Sequence, residues 1–241
     1  MSGKKLEFII SHGGESLVMD ILKILKEKYD YNTLSKITGL PISTLSRYCT
    51  GKSTPKGKRI MNLINKITPM IDIEKIIREN IIIDKNGYID SSALFLNANI
   101  LKILSLYALD FFAGRKITCI IAFDELSISL ATSIALISNR KLLFLSNSPF
   151  CEIKDNFLYF MYSSFGENNV YWLPKKYIKN NESVLIIMSN AFNSNKINSF
   201  FDFLKKLNVF VCGVFSIIGK KDEWEKINFP LGSKNTCLIL F

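Results

Sequence analysis

Between Tyr31 and Ile71 the chain contains neither aspartate nor glutamate, yet it carries seven bases there: Lys36, Arg47, Lys52, Lys56, Lys58, Arg59 and Lys66. A solvated face normally mixes both signs, whereas a one-signed surface attracts polyphosphate and releases its counterions. The excess lies mainly at that end. Residues 1–80 hold 14 bases and 8 acids, net +6, against 17 and 13, net +4, over residues 81–241. Histidine is almost missing: His12 is the only one, which excludes His-rich zinc sites and most Ser-His-Asp schemes. The five cysteines, Cys49, Cys119, Cys151, Cys212 and Cys237, never form a C-x-x-C pair. They read as free thiols in a reducing compartment. No metal and no cofactor is expected. No apolar run approaches the ~20 residues of a membrane span; Ile117–Phe123, for example, is closed by Asp124 and Glu125. The opening "MSGKKLEF" turns charged too soon for a secretory signal, so the expected location is the cytoplasm.

What is present is apolar enough for a packed core, at 48% of 241 residues, and long enough for two modest domains. "ESLVMDILKILKEKYDYNTLSKITGLPISTLSRYCTGKSTPKGKRIMNLINKI" reads as four short helices. In the first, Leu17, Ile21, Ile24 and Leu25 recur at helical spacing on one face. The second runs from about Asn32 to Thr38 and stops at Gly39, which takes the left-handed cap conformation without strain. Pro41 restarts the chain for a third helix over Ile42–Cys49. After the loop "TGKSTPKG", a fourth covers Lys58–Ile67 and ends near Pro69.

The spacing about Gly39 predicts a helix-turn-helix. Ser35, a small residue, sits where the two helices must cross, and Leu34, Leu40, Leu45 and Tyr48 face inward. Ile42, Ser43, Ser46 and Arg47 are left pointing outward, at positions that reach base edges in the major groove. Arg47 suits bidentate contact with guanine. Lys52, Lys56, Lys58 and Arg59 suit phosphates. "ITGLPISTLSRYCTGKSTP" resembles the helix-turn-helix of phage-repressor-type regulators, of the kind fused to larger domains in archaea. The resemblance implies double-stranded DNA as partner. A helical module that only docks protein is the alternative, and the acid-free basic surface favours DNA over it.

Three regions are expected: a helix-turn-helix domain over residues 1–70, a linker with hairpin over 71–92, and an α/β domain over 93–241. "NIIIDKNGYID" places Asn86–Gly87 turn chemistry between two β-prone runs. Beyond it, helices at Asn99–Phe112, Ser127–Ser138 and Ile197–Leu207 alternate with strands at Ile117–Ala122, Leu142–Leu145, Val184–Met188 and Val209–Ile217. Phe157–Tyr162 and Val170–Trp172 read as paired β segments. Such alternation implies a mostly parallel sheet covered on both faces, with ligands beyond the carboxyl ends of its strands.

"TCIIAFDELSISLATSIALISNRKLLFLS" resembles the first strand, diphosphate loop and helix of type I phosphoribosyltransferases. "VYWLPKKYIKNNESVLIIMSNAFNSNKINSFFDFLKKLNVFVCGVFSIIGK" resembles their phosphoribosyl-diphosphate segment, and its lead-in "LPKKYIKNNESVLII" is close to that of members that are regulators. Over about residues 16–220 the order is similar to purine-repressor-like helix-turn-helix fusions. The resemblance implies a homodimer, and a nucleotide or phosphate site at Asn190, Asn193, Ser194, Asn195 and Lys196. Two adjacent acids that hold the ribose hydroxyls in the enzymes are replaced by Met188 and Ser189. Glycines of the phosphate loop are replaced by Asn193-Ser194-Asn195-Lys196. Asp124 and Glu125 stand where a pyrophosphate would approach, and would repel it.

No catalytic residue is therefore expected. Asp124 and Glu125 are candidates for acid/base or magnesium chemistry, or simply for capping the following helix. The Asn-rich loop is a weak anion site or a polar turn. The aromatics of "FLYFMYSSFGENNVYWLP" suit stacking on single-stranded RNA or DNA, or a core and subunit interface with strand periodicity. The expectation is a DNA-binding transcriptional regulator with a degenerate phosphoribosyltransferase-like domain; a C-terminal module for single-stranded RNA or DNA is the alternative, and an active transferase a more distant one.

Overall fold

The computed structural model describes residues 14–149, 157–164 and 167–241; His12 and Cys151 lie outside them. Helices α1 (Gly14–Lys28), α2 (Tyr31–Thr38), α3 (Ile42–Cys49) and α4 (Lys58–Ile67) come first. Their shared core is Val18, Leu22, Leu25, Leu34, Leu45, Tyr48, Ile60, Leu63, Ile64 and Ile67. Asp30 opens α2 by accepting from the Thr33 amide at 2.9 Å. Gly39, at φ 71°, closes it by donating to the Ser35 carbonyl at 2.8 Å. A side chain in that left-handed region would be strained. Ser35 Oγ donates to the Leu40 carbonyl at 2.6 Å, so the small residue also ties the turn together.

The expected linker is more ordered than its sequence suggests. It holds a further helix, α5 (Ile73–Glu79), capped by Asp72 through the Lys75 amide at 3.0 Å. At seven residues it is too short to stand out as a periodic pattern, and burial of Ile76 and Ile77 against the larger domain stabilises it. The hairpin of β1 (Ile82–Ile83) and β2 (Ile89–Asp90) forms as expected. Asp84 Oδ1 accepts from the Asn86 and Tyr88 amides, each at 2.8 Å.

Helices α6 (Ser92–Leu96) and α7 (Ala98–Phe111) lead into the sheet. Its strands are β3 (Cys119–Ala122), β4 (Lys141–Phe144), β7 (Ser183–Ala191), β8 (Phe210–Gly219) and β9 (Lys234–Leu240), in the order β4-β3-β7-β8-β9. All four pairings are parallel. Helix α8 (Ser127–Ser138) follows β3, and α9 (Ser194–Lys206) follows β7. Strand periodicity sorts the core into two layers. Leu185 and Ile187 of β7 face α7 and α8, whereas Val184, Ile186 and Met188 face Phe200 and Leu204 of α9. Gly213 permits one close approach: a Cβ there would lie 2.2 Å from Phe112 and 2.6 Å from the Lys234 carbonyl.

The aromatic stretch forms an antiparallel hairpin, β5 (Phe157–Ser164) with β6 (Glu167–Pro174), joined to the sheet edge by the Ser146–Trp172 bridge. Phe160 stacks on Tyr171 at 5.3 Å and meets Phe200 of α9 at 5.2 Å. Tyr159 and Met161 point the other way and are more than half exposed. Strand β9 and the short helix α10 (Lys221–Glu225) were not anticipated from the sequence.

Candidate functional site

Two places gather the residues singled out in the sequence. The first is the carboxyl edge of β3 and β7. Here β7 continues through Ala191, and α9 begins at Ser194, which leaves only Phe192 and Asn193 as a loop. Asn190 is therefore a strand residue, and Ser194, Asn195 and Lys196 form the first helical turn; a longer loop was expected. Backbone pairing of Asn190 with Ile218 and of Ala191 with Gly219 carries the strand past its apolar run.

Most of the polar groups there already have partners within the chain. Asn193 Oδ1 caps α9 by accepting from the Lys196 amide at 2.9 Å, while its Nδ2 donates to the Tyr162 hydroxyl at 2.7 Å. Ser194 donates both its amide (2.9 Å) and its hydroxyl (2.7 Å) to Glu223 Oε2 of α10. An internal carboxylate thus occupies the end of α9 that favours an anion. The Ser194 amide bond, with the Lys226 ammonium and the Ser194 hydroxyl, holds Glu223 down at about 2. Asn190 Nδ2 donates to Ser189 Oγ at 3.1 Å.

Lys196 is half-buried, with its ammonium 4.0 Å from the Tyr171 ring centre and 4.7 Å from that of Phe123. Burial lowers its pKa, opposed by the negative charge of Asp124. Ring faces supply part of the attraction that lost water would otherwise give. Asp124 does not stand open to a ligand. Its Oδ1 accepts from the Ser127 amide at 2.9 Å, and its Oδ2 from the Ser189 amide at 2.8 Å. It caps α8 and pins β3 to β7, while burial raises its pKa against these bonds. Glu125 is exposed and accepts from Asn147 at 3.3 Å. Met188 and Ser189 are buried at 0% and 1% exposure. Among the described residues no cluster of His, Cys, Asp and Glu is placed to hold a metal. Sequence reasoning missed Glu223, because neither α10 nor its return toward α9 has a local signal.

The second place is the outer side of α3 and the loop after it. Ile42, Ser43, Arg47, Lys52, Lys56, Lys58 and Arg59 are exposed and Ser46 is half-buried, while Leu45 and Tyr48 fill the core behind them. Arg59 lies 3.5 Å from the Tyr48 hydroxyl. One base of the acid-free window is used internally: Lys66 Nζ donates to the Thr38 carbonyl at 2.8 Å, at the end of α2. No side chain caps the first turn of α3. Helix α1 joins this unit to the larger domain through Asp20–Lys102 at 2.8 Å and Lys28–Glu79 at 3.0 Å. Among the described residues no helix is long and apolar enough to cross a membrane.

No protein-family model and no curated protein matches the chain. Solved structures do. Adenine phosphoribosyltransferase from Thermoanaerobacter pseudethanolicus superposes with a TM-score of 0.60 at 14% identity, over 70% of this chain and 99% of that one. The enzyme from Rhodothermus marinus gives 0.60 at 11% identity, over 70% and 98%. That from Saccharomyces cerevisiae, solved with an imino-altritol bisphosphate and adenine, gives 0.59 at 12% identity, over 69% and 98%. The α/β part of the chain therefore has a type I phosphoribosyltransferase-like fold. A likeness at this identity defines architecture and leaves the activity open.

Proposed function

We propose that the chain is a cytoplasmic DNA-binding regulator in which the phosphoribosyltransferase-like domain has no transferase chemistry. The observation that carries this reading is the exposed base set Arg47, Lys52, Lys56, Lys58 and Arg59 beside α3, in a window without one acid. Helices α2 and α3, joined at Gly39, act as a helix-turn-helix with α3 in the major groove. Two copies related by a dyad address half-sites about 34 Å apart or a multiple of that. Burial of Met188 and Ser189, and the engagement of Ser194 by Glu223, support a domain that holds shape rather than turns over substrate. A nucleotide or phosphate at Asn193–Lys196 acts by displacing Glu223, and so couples ligand to α10.

Selection from a random pool of duplex DNA and single-stranded RNA, read by sequencing, tests the reading. A palindromic duplex motif is expected, with Arg47→Ala binding it roughly tenfold more weakly or worse, as for loss of one bidentate base contact. Enrichment of a short RNA that survives Arg47→Ala would move the function to the β5–β6 hairpin, where Tyr159 is exposed and Trp172 partly so. Lys56→Ala, by contrast, is expected to weaken all duplexes alike and to reduce the slope of log K against log salt by about 1. A sequence-dependent loss in binding titrations across salt would contradict its phosphate role.

A further inference from the structure

We infer that Ile42 reads the C5-methyl group of a thymine, about two base pairs from a guanine read by Arg47; this rests on the DNA-binding reading above. Ile42 is 44% exposed although it is among the most apolar residues of its helix. It belongs to none of the described core clusters, whereas Leu45 and Tyr48 of the same helix are 0% and 3% exposed. A lone exposed isoleucine is ordinary on a protein surface. Its setting is not: Ser43 and Arg47 are exposed beside it, and every charged side chain of the surrounding window is basic.

Chemistry assigns the contact. The major-groove edge of a base pair offers donors, acceptors and a single apolar group, the thymine methyl. Among Ile42, Ser43, Ser46 and Arg47, only Ile42 has no side-chain hydrogen-bonding atom, so that methyl is the one base feature it can favour. At 100° per residue these four side chains span about 140° of the helix circumference, a single outward face. Ile42 and Arg47 are five residues apart, which is about 7.5 Å along the axis. With base pairs stacked about 3.4 Å apart, this separates their targets by about two steps. Ile42 is the first residue of α3, at the end of the helix whose residues contact base edges in such units.

The full chain is used for the test. The duplex enriched by selection is remade with deoxyuridine in place of each thymidine in turn, which keeps the pairing and removes only the methyl. Binding is followed by fluorescence anisotropy for wild type and Ile42→Ala. In each half-site, one thymine is expected whose demethylation weakens wild type roughly threefold to fivefold, the scale of one methyl left unburied. Ile42→Ala should show less than about a twofold effect at that position, while keeping its response at the guanine whose contact Arg47→Ala removes. If no position distinguishes wild type from Ile42→Ala, the inference is overturned and the DNA reading stands. If selection yields no duplex motif at all, it is the DNA reading that fails.

Discussion

Met188→Asp is expected to destabilise the protein by about 3–5 kcal/mol, the scale of a buried charge without a partner. It is also expected to leave the chain without transferase turnover. The resemblance to phosphoribosyltransferases invites the opposite guess, that an acid at this position restores the ribose contact. The structure argues against that. Met188 is 0% exposed, pairs with Ser216 of β8, and packs with Phe200, Phe201 and Leu204 of α9. At that point β7 is still a central strand, and the carboxylate would enter a dry layer between sheet and helix. Urea unfolding of Met188→Asp and of the Met188→Asp/Ser189→Asp pair, with an assay for pyrophosphate-dependent turnover, checks this. A double variant as stable as wild type that turns over substrate would overturn both the packing argument and the non-enzymatic reading.

Glu223→Ala is expected to cost about 2 kcal/mol, because it removes one acceptor from two donors at the first turn of α9. Ser194 is 3% exposed, so its hydroxyl and amide would be left with little water to replace the carboxylate. The stabilisation also depends on pH. The carboxyl is held at about 2 in the folded protein against an ordinary 4.5. Its contribution is therefore complete above about 4.5 and disappears as the pH falls toward about 2. Urea midpoints measured down this range should fall less steeply for Glu223→Gln, which keeps an oxygen acceptor but no longer titrates. Parallel curves for the two proteins would show that Glu223 is not the anion that caps α9.

The reach of the sequence differs between the two ends of the chain. Helices α3 and α4 were legible to the residue, because local rules decide them. Pro41 and the loop "TGKSTPKG" set their limits, and a helical period separates Leu45 and Tyr48 from Ile42 and Arg47. The strands β3, β7 and β8 were legible as apolar runs, since a strand buried on both faces leaves no other composition, and the edge strand β4 was legible from its short apolar run. Their boundaries were not, because backbone pairing with a neighbour extends a strand past its apolar core, as at Asn190 and Ala191 in β7.

The amino-acid sequence by itself determined the composition of both candidate sites: an acid-free basic window beside a tight helix pair, and an Asn- and Ser-rich turn after the apolar run of β7. Only the tertiary structure decided which of those groups are still available. It turned Lys66 inward to the end of α2, set Lys196 between Phe123 and Tyr171, and tied Asp124 to the Ser189 amide of β7. It also brought Glu223 to Ser194 across 29 residues of chain. The physical reason is common to these cases. Whether a polar group can meet a ligand depends on whether another part of the chain has already satisfied it, and no local pattern records a partner so distant in sequence.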